Sequence, residues 1–310
     1  MRTTALILSA LLVSCGGTTP ESTVAPGRAG PRTPYQVPSG SIDAALAGAH
    51  RTDRERARDE YRHPKETLEF FGLQPNMTVV EIWPGGGWYT KILAPVVRDE
   101  GKLIVAGLDP EDTSFRGRFA RSFRDEFLPA APELYDRVQL SVLAPGNMMD
   151  DVPDGSVDLV INPRNSHNMI RWEDHDIAAF LSAVARVLKP GGVYGLVQHR
   201  APDGLDGGES GQLGYVTEAL MIRLAEAAGL RLDERSEVNA NANDTHDHPD
   251  GVWSLPPALR GGDTDREHFL AIGESDRMTL RFVKAERASE GEETTEEAGE
   301  VADEPAESTN

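Results

Sequence analysis

The sequence predicts a doubly wound α/β domain on a mostly parallel, seven-stranded sheet, with an N-terminal helical extension. Three observations carry this prediction. Strand-like and helix-like patterns alternate at short spacing from Thr78 to Val238, an order that gives a parallel sheet with helices on both faces. The first strand runs directly into a glycine-rich turn, Pro84-Gly-Gly-Gly87. The two ends of the chain lack the apolar content to build a core, which confines the fold to residues 42–285.

At the start, Arg2 precedes a short apolar run from Ala5 to Val13, too short to cross a bilayer as a helix. It ends in Leu12-Val13-Ser14-Cys15, and residues 1–15 resemble a bacterial lipoprotein signal in which Cys15 becomes the lipid-bearing first residue. That resemblance implies an exported protein anchored in a membrane on the periplasmic side of a bacterial envelope. Residues 16–41, rich in Gly, Pro, Thr and Ser, read as a tether. Cys15 is the one cysteine in 310 residues, which excludes an intramolecular disulfide framework and any cysteine-based zinc site. At the far end, 286–310 carries ten acidic residues and one Arg, a net of −9 within a chain of −20. It reads as a solvated acidic tail, and the acidic remainder argues against a nucleic-acid partner.

Within the domain, 42–77 reads as a helical lid. Arg51 to Arg62 interleaves both signs of charge, which predicts a solvent-facing helix with i,i+4 pairs. His63-Pro64 breaks it, and Pro64 suits the first turn of the next helix. Thr78 to Ile82 is a β-branched run and the first buried strand. Trp88 onward reads as a helix, shortened or kinked at Pro95. Lys102 to Leu108 is the second strand. Phe115, Phe119, Phe123 and Phe127 fall at four-residue spacing and predict a core-facing helical stripe, with an interfacial face beside Arg116, Arg118, Arg121 and Arg124 as the alternative. Val138 to Leu143 and Val157 to Asn162 are the third and fourth strands. Ile177 to Leu188 is a helix stopped by Lys189-Pro-Gly-Gly192, and Val193 to Gln198 is the fifth strand. A helix from Val216 to Ala227 and strands at Leu230 to Val238 and Met278 to Lys284 complete the domain, with an insertion loop at 239–262.

In such a sheet, ligands bind at the carboxyl ends of the strands where the strand order reverses. The glycines at 85, 86 and 87 let a ligand approach backbone N–H groups, an arrangement that serves many nucleotides. Asp109 closes the second strand, where a carboxylate can accept hydrogen bonds from two ribose hydroxyls. Asn162 to Asn168 lies at the carboxyl edge of the fourth strand, which marks Asn162, Asn165 and His167. His167 is either a general base or a loop-stabilising ring. Asp244-Thr-His246-Asp-His248 reads as a loop rather than a metal site, and no metal is expected. Trp253 lines a substrate pocket or packs in the core, and Tyr61 and His63 belong to the lid or to a plain helix junction.

Taken together, Glu81-x-x-x-Gly85-x-Gly87, Asp109, Pro153-Asp-Gly-Ser-Val-Asp158 and Leu188-Lys-Pro-Gly-Gly192 are similar to the successive motifs of class I S-adenosylmethionine (SAM) methyltransferases. Asp59-Glu-Tyr-Arg-His-Pro64, Glu81-Ile-Trp-Pro-Gly-Gly-Gly-Trp-Tyr-Thr90, Arg164-Asn-Ser-His-Asn168 and His248-Pro-Asp-Gly-Val-Trp253 resemble a bacterial group of predicted methyltransferases, some of them exported. The resemblance implies that SAM is the cofactor. It places Glu81 at the turn and the amino-acid end of SAM, Gly85 and Gly87 beside the cofactor, Asp109 on the ribose, and Asn147 and Met148 at the adenine. Trp83 departs from the pattern, since the family carries Gly there; its ring either narrows the pocket or stacks on a ligand. The implied activity is methyl transfer to a small-molecule or lipid-like acceptor. The alternative is a binding or scaffold protein that keeps the fold without transfer. Acceptor and oligomeric state are not encoded in any motif.

Overall fold

The computed structural model describes residues 33–37, 40–173, 175–205 and 211–285. The leader at 1–15 with Cys15, most of the tether at 16–41 and the tail at 286–310 lie outside the described residues. The β-branched and aliphatic runs form β1 (Thr78–Ile82), β2 (Lys102–Gly107), β3 (Gln139–Ala144), β4 (Asn147–Met148), β5 (Val157–Pro163), β6 (Leu188–His199), β7 (Leu230–Ser236) and β8 (Arg277–Lys284). They hydrogen-bond in the order β4-β3-β2-β1-β5-β6-β8-β7. The five strands from β3 through β6 are parallel, whereas β8 runs antiparallel between β6 and β7. The strand added to the predicted seven is β4, a two-residue pair antiparallel to β3, too short to leave a sequence pattern.

Alternation along the strands sorts their side chains onto two faces. Val80, Ile82 and Val160 pack with the helices Ile177–Val187 and Glu218–Ala227 through Phe180, Val184 and Met221. Val79, Val105 and Leu159 pack on the opposite side with α5 (Thr90–Val97) through Ile92, Leu93 and Val96. The chain leaves β1 outward through β2 and β3 and then returns to its other side as β5. The order therefore reverses between β1 and β5, and a crevice opens at their carboxyl ends.

The N-terminal extension forms α1 (Ile42–Ala47), α2 (Asp53–Arg56), α3 (Asp59–Arg62) and α4 (Pro64–Phe70). The interleaved charges of 51–62 are not one solvent-facing helix. They make two single turns, and Arg51 and Arg62 are 1% and 2% exposed. Each guanidinium finds a partner far along the chain or around a bend. Arg51 grips the Asp59 carboxylate through both terminal nitrogens at 2.8 and 2.6 Å. Arg62 donates to Glu274, and both guanidiniums lie over the Trp88 ring, 5.4 and 4.8 Å from its centroid.

The phenylalanine stripe divides. Phe123 is buried and Phe127 stacks on Tyr135, but Phe115 and Phe119 are 59% and 61% exposed. The reason is a change of winding: α6 (Phe115–Ser122) passes into one π turn at 123–127, so the four-residue spacing does not keep one face on the core.

The insertion at 239–262 is folded rather than a solvated loop. Asn239 Nδ2 donates to Thr67 Oγ1 and Thr279 Oγ1, both at 2.9 Å. Asp244 accepts from the Tyr215 hydroxyl at 3.0 Å and from the Asp276 N–H at 2.8 Å, and pairs with His248 Nε2 at 2.8 Å. These bonds tie the insertion to the core, with Asn239 Oδ1 left buried and unpartnered. Among the described residues no group of three His, Cys, Asp or Glu side chains is placed to hold a metal, and no helix is long and apolar enough to cross a membrane.

Candidate functional site

The site begins where β1 ends. Trp83, Gly85 and Gly87 all have positive φ, at 43°, 56° and 77°. At Gly87 an added Cβ would lie 2.3 Å from the Phe127 ring, so the turn sits tightly on the π segment. At Gly85 an added Cβ would meet nothing within 4 Å, and the backbone there faces open space. Positive φ is what glycine supplies without strain; Trp83 adopts it because its ring is held elsewhere. The indole is 8% exposed, donates from Nε1 to the Leu143 carbonyl at 2.9 Å, and packs edge-on or tilted against His175 and Trp172. It therefore walls the crevice from below and leaves the space over Gly85 clear.

The crevice has two arms that meet at Trp83, Pro84, Gly85, Asn165 and Trp172. The apolar arm encloses about 520 Å³ among residues such as Leu108, Phe119, Leu140, Val142 and Asn147. The larger arm, about 910 Å³, is polar and is lined by Arg58, Arg62, Glu81, Tyr89, Arg164, His167, His199 and Trp253.

Glu81 is fully buried. Its Oε2 accepts the Thr90 hydroxyl at 2.6 Å, while Oε1 has no partner. Burial pushes its carboxyl up to about 7, against the opposing pull of the Thr90 hydrogen bonds. His167 is pushed the other way, down to about 3, first by burial and then by the Arg171 charge. Gln198 Nε2 also donates to the Gly214 carbonyl, at 3.1 Å, which orients the amide; the same nitrogen donates to His167 Nδ1 at 3.2 Å. That bond leaves the ring proton on Nε2. His199, whose Nδ1 pairs with Ser275 Oγ at 2.5 Å, is also held neutral by burial. Burial lowers Arg164 to about 10. We expect ring-nitrogen NMR to show His167 neutral from pH 8 down to about 4, with protonation near 6.5 the result that would exclude this environment.

The sequence-predicted residues distribute unevenly. Glu81, Gly85, Gly86, Asn165, His167 and Trp253 line the polar arm, and Asn147 lines the apolar one. Asn165 Nδ2 donates to the Ile82 carbonyl at 3.0 Å, so it braces the turn. Gly87 is buried against Phe127 and lines neither arm. Asn162 sits beneath the arms, donating to Ser166 Oγ at 3.1 Å and the Tyr194 hydroxyl at 2.9 Å. Met148, expected at the adenine, lines neither arm: it borders a small hollow behind Trp83 with Leu143 and Phe180, and its carbonyl accepts from Arg186 at 3.1 Å. Asp109 stands apart: it lines a smaller hollow with Asp112, Arg116 and His175, and its Oδ1 accepts the Glu111 N–H at 2.8 Å. Tyr61 packs against Gly273, and His63 caps α3 in the left-handed conformation at φ 37°; both sit in the N-terminal helices and line neither arm. Sequence reasoning missed Arg58, Arg62, Arg164 and His199. The signal for Arg62 was present as a dense charge run, and Arg164 stood inside a quoted motif without a role.

The family described as "Methyltransferase domain" matches residues 80–196, from β1 to β6. No curated protein matches the chain. Among solved structures, a SAM-dependent methyltransferase from Aquifex aeolicus is 18% identical at a TM-score of 0.48, covering 74% of this chain and 93% of that one. A geranyl diphosphate methyltransferase in complex with SAM is 15% identical at 0.46, covering 81% and 98%. The [4+2]-cyclase SpnF is 16% identical at 0.48, covering 73% and 81%.

Proposed function

From the methyltransferase domain over residues 80–196, we propose that this protein transfers the methyl group of SAM to a small-molecule or lipid-like acceptor. The observation that carries the reading is the unpartnered Oε1 of buried Glu81 beside the open backbone of Gly85. A carboxylate in that position asks for a cationic donor, and the ammonium of a methionyl group is one. The residues present fit SAM: Glu81 for its amino group, Gly85 and Gly86 for close backbone approach, and the apolar arm with Asn147 for the adenosyl part. SAM, when bound, supplies an electrophilic methyl group on a good leaving group.

The protein's own contribution is alignment and exclusion of water. Trp83 and Trp172 form the wall where the arms meet, and Phe119 borders both arms at their mouth. His167, neutral with its proton on Nε2, donates a hydrogen bond rather than removing a proton. Titrating the full chain with SAM and S-adenosylhomocysteine tests the reading; failure of folded protein to bind either would overturn it. Binding of both without transfer to any acceptor would favour the scaffold alternative.

We further propose that Cys15 carries a lipid anchor and that the domain works on the periplasmic side of a bacterial envelope. The apolar run ending at that cysteine supports this. Cys15→Ser is expected to move the protein from the membrane fraction to the soluble fraction and to abolish labelling by a fatty-acid probe; unchanged labelling would refute the anchor.

A further inference from the structure

The polar arm gathers arginines in a chain whose net charge is −20. Arg62 is 2% exposed, and its Nε donates to Glu274, yet both of its terminal nitrogens are buried with no hydrogen-bond partner. They belong to a guanidinium that lines the arm above Trp88. Arg164 lines the same arm, is partly exposed there, and among the described residues its guanidinium makes no hydrogen bond. Arg58, at 2.8 Å, and Arg277, at 2.6 Å, share the one Glu274 carboxylate with Arg62. Of the two acids that line the arm, Glu55 is already paired with Lys91 at 2.7 Å, and Glu81 holds the Thr90 hydroxyl at 2.6 Å and keeps its free Oε1 for the cofactor ammonium. A guanidinium cannot shed its proton at working pH, and buried donors without acceptors are costly. Its planar fork matches a carboxylate or phosphate.

We propose that Arg62 and Arg164 recognise an anionic group, a carboxylate or phosphate, on the methyl acceptor. The inference rests on the methyltransferase reading, because only that reading divides the ligand into cofactor and acceptor. The same chemistry has a second source, the carboxylate of SAM itself, and the test must separate the two. Filling the cofactor site with S-adenosylhomocysteine does so, since that molecule brings its own carboxylate.

Full-length protein saturated with S-adenosylhomocysteine is titrated with phenylacetate, phenyl phosphate and the neutral phenylacetamide. An anion is expected to bind at least tenfold more tightly than the amide. Arg164→Gln and Arg62→Gln are each expected to erase that preference while leaving S-adenosylhomocysteine affinity within twofold. Arg164→Gln loses no side-chain hydrogen bond, so it reports even where Arg62→Gln disturbs the Glu274 network and fails a thermal melt. Equal binding of anion and amide would overturn the proposal, as would variants that leave the anion unaffected. Variants that weaken S-adenosylhomocysteine instead would assign the arginines to the cofactor carboxylate and also overturn it. Failure of the methyltransferase reading looks different: S-adenosylhomocysteine binds to no form of the protein, while the anion titration without it still reports on the arginines.

Discussion

SAM should bind about tenfold more tightly at pH 8 than at pH 6, and Glu81→Gln should remove that dependence. The carboxyl of Glu81 is held up to about 7 by burial. A ligand ammonium binds the ionised form, so affinity rises as pH rises through that value and levels off above it. Between one unit below and one unit above, the ionised fraction changes roughly tenfold. Glu81→Gln replaces a charge-assisted hydrogen bond of about 1.5–3 kcal/mol by a neutral one of about 0.5–1.5 kcal/mol, a loss of about 1–1.5 kcal/mol or roughly 5- to 13-fold in Kd at pH 8. Calorimetric titration of both proteins at the two pH values measures this. A flat wild-type profile would place the ammonium elsewhere. The unliganded protein supplies a second readout of opposite sign. A carboxyl raised in the fold contributes stability while protonated, fully below its unfolded value near 4.5, and that contribution is lost as pH rises through about 7. The glutamine variant should therefore gain in Tm relative to wild type as pH rises from 4.5 to 8.

Trp83→Ala should be the most destabilising single change in the turn, by about 3–5 kcal/mol. The indole is 8% exposed, donates a hydrogen bond to Leu143, and stands in the cluster with Ile82, Met169 and Phe180. In a domain of this size such a loss lowers Tm on the order of 10 °C. Trp83→Gly separates packing from backbone. Elsewhere glycine is worse than alanine, but at a φ of 43° glycine relieves strain, so it should be about 1 kcal/mol more stable than the alanine variant. Chemical denaturation of the three proteins decides it. A loss below 1 kcal/mol for alanine would mean that the ring is not a structural wall.

The layer order, and the turn on which everything depends, could be read from the sequence because they follow local rules. Thr78–Ile82 is strand by its β-branched run, and Gly85 and Gly87 mark positive φ directly. What escaped depended on partners distant in the chain. Arg62 carries the pattern of a solvated helix, and only Glu274, brought beside it by folding, makes it an interior residue. Phe115 and Phe119 keep a core-like spacing, which a single π turn defeats. Asp109 sits in the expected register after β2, yet a local bond to the Glu111 N–H turns it from the arms. The direction of a side chain after a strand end is not a property of spacing.

The counterion shared by Arg58 and Arg62 sits more than two hundred residues downstream of them, just before the strand that closes the sheet from inside. During synthesis, therefore, the early helices and the glycine turn emerge long before the group that balances their charge. β6 and β7 likewise wait for β8 to fill the gap between them. The cationic wall of the crevice is thus a late product of folding, and a chain that stops before residue 274 would carry the turn without the wall.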